Sequence, residues 1–88
     1  MVKSAIQKEK CCYLCGRDDV ERHHCIHGTA NRKNADKYKL TVWLCHEHHM
    51  QLHRERELDL FFIRLAQVTF EKTHTREEFM AIFGKNWL

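Results

Sequence analysis

Cys12-x-x-Cys15 and Cys45-x-x-His48 are two pairs of soft metal ligands separated by 29 intervening residues. A two-residue gap lets a tight turn aim both side chains at one ion, and four such ligands satisfy tetrahedral zinc. Gly16 follows the second cysteine, where a knuckle often needs positive φ. Cys11 is the alternative to Cys12 in a shifted register, and Cys25 reads as a small buried residue. The competing reading of Cys12-x-x-Cys15 is a thioredoxin-like redox pair; no βαβ pattern surrounds it, and a matching second pair exists.

A second constellation is built from histidine. His23 and His24 are adjacent, and His49-x-x-x-His53 puts two imidazoles at i and i+4 on one helix face. Three neutral imidazoles can hold a divalent ion and leave positions open for a phosphate oxygen and water, unlike a closed four-ligand zinc site. A fourth imidazole, titrating near neutrality, can take a proton from that water. Neighbours on a regular strand point to opposite sides, so His23 and His24 can serve one site only if the strand bends or bulges at its end. His27, His46 and His74 read as ordinary surface histidines.

These ligands need a fold to position them, and 88 residues make one domain with little hydrophobic margin. A metal staple is therefore expected. All five cysteines and all but one of the eight histidines fall within residues 11–53. The odd cysteine count and the lack of an apolar leader before Cys11 argue against a secreted disulfide scaffold. The most apolar stretch, residues 58–68, is broken by Asp59, Arg64 and Gln67 and falls short of the ~20 apolar residues of a membrane span. A cytoplasmic protein without a membrane partner is expected. The net charge of +3 suits a polyanionic partner without requiring one.

Residues 1–10 are polar and basic without sustained periodicity and read as a flexible lead-in to a single domain over 11–88. Residues 20–26 and 40–44 read as strands, and residues 27–39 between them as a long polar loop. From His46 the pattern turns helical, with Leu58, Phe61, Phe62, Leu65 and Thr69 as the expected buried face. Thr75 through Glu78 predict a capping box opening a last helix, with Phe79, Ile82 and Phe83 inward and Gly84 closing it. The fold class is thus α+β, with a knuckle and core over 11–56 and a helical part over 57–88.

The residues carrying these ligands resemble the zinc-containing HNH endonucleases, whose pattern is C-x2-C, a strand ending in paired histidines, a loop, a strand, and L-C-x2-[CH]-H-x3-H. Here that reads Cys12, Cys15, His23-His24, then Leu44-Cys45-His46-Glu47-His48-His49 and His53. The stretches NRKNADKYKL and EEFMAIFGKNWL also resemble small phage and prophage members. The resemblance implies a ββα-metal (His-Me) finger with added C-terminal helices. His23, His49 and His53 would hold the catalytic divalent ion (Mg²⁺, Mn²⁺, Ni²⁺ or Zn²⁺), and His24 would be the general base. Cleavage would leave 5′-phosphate and 3′-hydroxyl ends. The asparagine that gives the family its name corresponds to Leu40, and Asn31 or Asn34 is the expected replacement in orienting the base.

The expected partner is nucleic acid, DNA first, held through phosphates with little sequence preference by Arg22, Arg32, Lys33, Lys37 and Lys39. A monomer or weak dimer is expected. Two other readings remain open: a zinc-finger nucleic-acid-binding module without cleavage, and an adaptor docking through Phe61, Phe62, Phe79 and Phe83. Against the second, those aromatics are the most available core residues of a small fold.

Overall fold

β-Branched and aromatic residues around Val42 favour a strand, and the polar residues 21–24 pair with it antiparallel in the computed structural model, which describes residues 4–88. They are β1 (Glu21–His24) and β2 (Thr41–Leu44), with His23 opposite Val42 and His24 opposite Thr41. Four helices complete a small α+β fold: α1 (Thr29–Lys37), α2 (His46–Arg54), α3 (Arg56–Phe70) and α4 (Arg76–Phe83). Among the described residues no helix is long and apolar enough to cross a membrane.

The segment over residues 27–39, expected as a loop, contains α1. Apolar periodicity could not reveal this helix, since Ala35 is the residue it buries fully among those whose side chains are described. Its Ala, Arg and Lys content favours helix nonetheless. The helix ends at Tyr38, whose N–H bonds back to the Asn34 carbonyl, and Lys39 turns the chain at φ 60° into β2.

Residues 4–10 also depart from expectation. They lie along β2: Ala5 N–H donates to the Lys39 carbonyl at 2.8 Å, Ser4 donates its hydroxyl to the Thr41 carbonyl, and Trp43 N–H donates to Gln7 Oε1 at 2.9 Å. Tyr13 N–H donates to the Trp43 carbonyl at 2.8 Å. A two-stranded sheet leaves unpaired groups on its edges, and here the lead-in and the knuckle turn satisfy those of β2. Residues 1–3 of the expected flexible lead-in lie outside the described residues.

Glu55 is extended and separates α2 from α3. The buried face of α3 is Asp59, Phe62, Ile63, Ala66, Gln67 and Phe70, so the face expected from Leu58, Phe61, Phe62, Leu65 and Thr69 is corrected by about one residue. Phe61 is 48% exposed. Two polar residues belong to the buried face: Asp59 meets His27, and Gln67 is a hub whose Oε1 accepts from Trp87 N–H at 2.8 Å and whose Nε2 donates to Asn86 Oδ1 at 2.7 Å. Both are buried because both are partnered. The capping box of α4 forms as expected, with Thr75 Oγ1 accepting from Glu78 N–H at 3.1 Å and Glu78 Oε1 accepting from Thr75 N–H at 3.0 Å. Phe79 and Phe83 enter the core with Phe62 and Phe70, and Gly84 closes the helix in a left-handed conformation.

Candidate metal centre and histidine cavity

The turn after Cys12 closes with Gly16 N–H on the Cys12 carbonyl at 2.8 Å, and Gly16 takes φ 79°, where a side chain would be strained. Cys45 is the N-cap of α2, so its partner at i+3 projects from the first helical turn. These two local geometries converge. Cys12, Cys15, Cys45 and His48 offer ligand atoms that all lie within 4.8 Å of one another. Cys12 Sγ is 3.4 Å from His48 Nδ1, Cys45 Sγ is 3.2 Å from the same nitrogen, and Cys15 Sγ is 3.8 Å from Cys45 Sγ. With Zn–S near ~2.3 Å and Zn–N near ~2.0 Å, the edges of a tetrahedral site are about 3.5–3.8 Å. The four residues therefore fit a zinc ion, and Cys12, not Cys11, is the one brought to the cluster.

Charge in this cluster is uneven. Burial pushes the Cys12 thiol up, but backbone groups of Cys45, Cys15 and Leu14, with the His48 ring, outweigh it and bring the pKa down to about 6. The Arg17 backbone lowers that of Cys15, yet burial and the neighbouring Cys12 and Cys45 sulfurs leave it raised. Sulfurs this close resist sharing negative charge, and a divalent cation is the group that would relieve the conflict. Cys25 is fully buried and its thiol is pushed far up by burial and by Asp59, which agrees with its reading as a core residue.

The second constellation lines a cavity of about 180 Å³ together with Arg22, Ile26, His27 and Arg32. β1 ends at His24 and the chain bends over residues 25–26, so His23 and His24 both reach that cavity. From α2, His49 and His53 join them, with ring centroids 5.2 and 6.3 Å from that of His23. His23 is only 4% exposed, and its Nε2 is buried without a hydrogen-bond partner among the described residues. Burial, then the nearby His49, His27, His53 and His24, pushes its pKa down to about 3. It is neutral at physiological pH, the form in which imidazole ligates.

Carboxylates hold the other imidazoles. His24 Nε2 lies 2.9 Å from Asp36 Oδ1, which also accepts from Arg22. His49 Nδ1 lies 2.7 Å from Glu21 Oε1 and His46 Nδ1 lies 3.1 Å from Glu21 Oε2; these two contacts hold the Glu21 carboxyl below its ordinary range. His27 Nε2 lies 2.6 Å from Asp59 Oδ1. Such pairings fix the tautomer and direction of a ring and leave its other nitrogen available.

The remaining expected site residues divide. Arg22 and Arg32 line the cavity, whereas Lys33, Lys37 and Lys39 are exposed and do not. Asn31 donates to the His27 carbonyl at 2.8 Å and Asn34 reaches the Ile82 carbonyl at 3.4 Å, tying α1 to α4. Neither asparagine touches His24, contrary to the expectation; the side chain that contacts its ring is Asp36. Leu40 is buried at 1% exposure, a core position. Asp36, Glu21, His27 and Asp59 escaped sequence reasoning because their partners lie 12 to 32 residues away, with no fixed spacing to betray them. Among the described residues, two groups bring three or more ligand atoms within mutual reach: the knuckle, and His23 with His27 and Asp59. His23, His49 and His53 are neighbours without meeting that limit. No protein-family profile, curated protein or solved structure matches the chain.

Proposed function

We propose that this chain is a metal-dependent endonuclease of the HNH type, with β1, β2 and α2 as the ββα-metal finger and a structural zinc at Cys12, Cys15, Cys45 and His48. The observation that carries the reading is that sequence neighbours His23 and His24 line one cavity with His49 and His53, beside a four-ligand knuckle. At about 180 Å³ the cavity is below the ~300–1,000 Å³ of pockets for drug-sized ligands, and a single phosphodiester group suits it better than a whole nucleotide.

His23 is the buried ligand there, and the resemblance assigns His49 and His53 as its partners for a divalent ion such as Mg²⁺ or Mn²⁺. The chemistry such an ion supplies when bound is neutralisation of charge on the phosphate and on the departing 3′ oxygen. In this reading His24 carries its proton on Nε2, beside Asp36 Oδ1 at 2.9 Å and Arg22 Nη2 at 3.1 Å, and Nδ1 is the proton acceptor. His24 Nδ1 takes the proton as the water oxygen bonds to phosphorus and the bond to the 3′ oxygen breaks. Arg32 at the cavity and the Asp36-paired Arg22 present positive charge to the phosphates. DNA, held with little sequence preference, is the proposed substrate.

Leu40 favours one second reading, a binding module that has lost cleavage, because a buried leucine stands where the family has its asparagine. Incubating supercoiled plasmid with the zinc-loaded protein and Mn²⁺, beside His24→Ala, separates the two. The nuclease reading expects nicking by the parent and not by the variant. Binding without nicking by either protein, both folded, supports the module instead.

A further inference from the structure

His27 looks like surface and Asp59 belongs to the helical scaffold, yet the fold brings both to the buried ring of His23. The chain bends after β1 and returns His27 to 5.6 Å from His23, ring centroid to ring centroid. α3 then presents Asp59, itself 8% exposed, with Oδ1 2.6 Å from His27 Nε2. All three offer ligand atoms within 4.8 Å of one another. The other contact of Asp59 is a long one, Oδ2 to the exposed guanidinium of Arg56 at 3.8 Å. A second observation points to a ligand independently: His23 Nε2 is a buried polar atom with no partner among the described residues, and such groups are rare unless an ion or water completes them.

We propose that His23, His27 and Asp59 form a divalent transition-metal site, separate from the knuckle and different from the His23, His49 and His53 set that the resemblance implies. Two imidazoles and one carboxylate suit Zn²⁺, Co²⁺, Ni²⁺ and Mn²⁺, and three protein ligands leave a position open. Access is available from two sides. The His23 cavity borders His27, and a second cavity of about 370 Å³ is lined by His27, His53, Arg56 and Asp59. His49 is held by Glu21, so in this arrangement it lines the cavity and does not share the ion. The ion takes the place of the direct 2.6 Å contact between His27 Nε2 and Asp59 Oδ1. One His23 nitrogen serves one ion, so this site takes the place of the His23, His49 and His53 set; it rests on the nuclease reading only in its catalytic consequence, and ion binding stands without it.

The test is Co²⁺ titration of the full chain, followed by absorption spectroscopy. The knuckle gives an intense sulfur-to-cobalt band, and the proposed site gives a second equivalent with weak visible bands and no sulfur band. His27→Ala and Asp59→Ala should weaken the second equivalent by at least about 100-fold, because losing even an outer-shell partner costs about 10–100-fold. They should retain the sulfur band, whereas His49→Ala should keep both. Because Asp59 is buried, His27→Ala, at a side chain 46% exposed, decides the matter if Asp59→Ala fails to fold. A single Co²⁺ equivalent in the parent overturns the proposal, as does a second equivalent that survives His27→Ala or is lost in His49→Ala. Plasmid assays with Mn²⁺ distinguish the two readings. Two ions without nicking leave the site standing and remove the nuclease, while unchanged nicking by His27→Ala with a retained second ion does the reverse.

Discussion

The knuckle and the histidine cavity are built from overlapping residue types and organised on opposite plans. In the knuckle each ligand pair is three residues apart, so the Cys12 turn and the first turn of α2 fix the geometry locally, and the ligand atoms face one another. In the cavity the imidazoles meet carboxylates distant in sequence: Asp36 braces His24, Glu21 braces His49, and Asp59 comes to His27 at the ring of His23. A cluster whose ligands consume one another is closed and stabilises the fold. A cluster whose rings are braced from behind keeps nitrogens free to face a cavity, and its geometry is only as good as the packing of several elements.

The largest expected effect separates the two by stability. Stripping zinc with a strong chelator, or Cys45→Ala, should abolish cooperative thermal unfolding followed by circular dichroism, since structural zinc in small domains is worth about 10 kcal/mol or more. A melt unchanged by zinc removal would erase the contrast. Next is His24→Ala, expected to reduce plasmid nicking by about 10²–10⁴-fold, the range of general-base contributions, with the melting temperature unmoved. Asp36→Ala sharpens the role of the bracing carboxylates. It should lower nicking by about 10-fold, in line with losses of groups that orient an imidazole, and Asp36→Asn, which keeps an acceptor oxygen, should recover part of it. Wild-type cutting by Asp36→Ala would mean that packing alone aims His24. The smallest effect lies outside both regions: Thr75→Ala removes the α4 cap, costs about 1 kcal/mol and lowers the melting temperature by roughly 4–8 °C, while nicking per folded molecule stays constant.

How far the sequence could be read follows the same division. The Cys-x-x-Cys and Cys-x-x-His spacings, the strand around Val42 and the Thr75–Glu78 capping box are short-range patterns, and each forms where expected. α1 was hidden because, among its described side chains, Ala35 is the one fully buried, and a single position makes no apolar stripe. The rotation of α3 was hidden because Gln67 and Asp59 are polar and yet interior, stabilised by partners that arrive from the C-terminal segment and from the bend after β1.

By itself, then, the sequence determined the ligand pairs of the knuckle, the adjacency of His23 and His24 and the i, i+4 pairing of His49 and His53, since these follow from backbone geometry over four residues or fewer. Only the tertiary structure decided that His24 is held by Asp36, that residues 4–10 cover the edge of β2, and that His27 and Asp59 meet at the unpartnered nitrogen of His23. Those contacts join groups from separate elements. Their distances are set by how the helices and sheet pack against a common core, which no local spacing encodes.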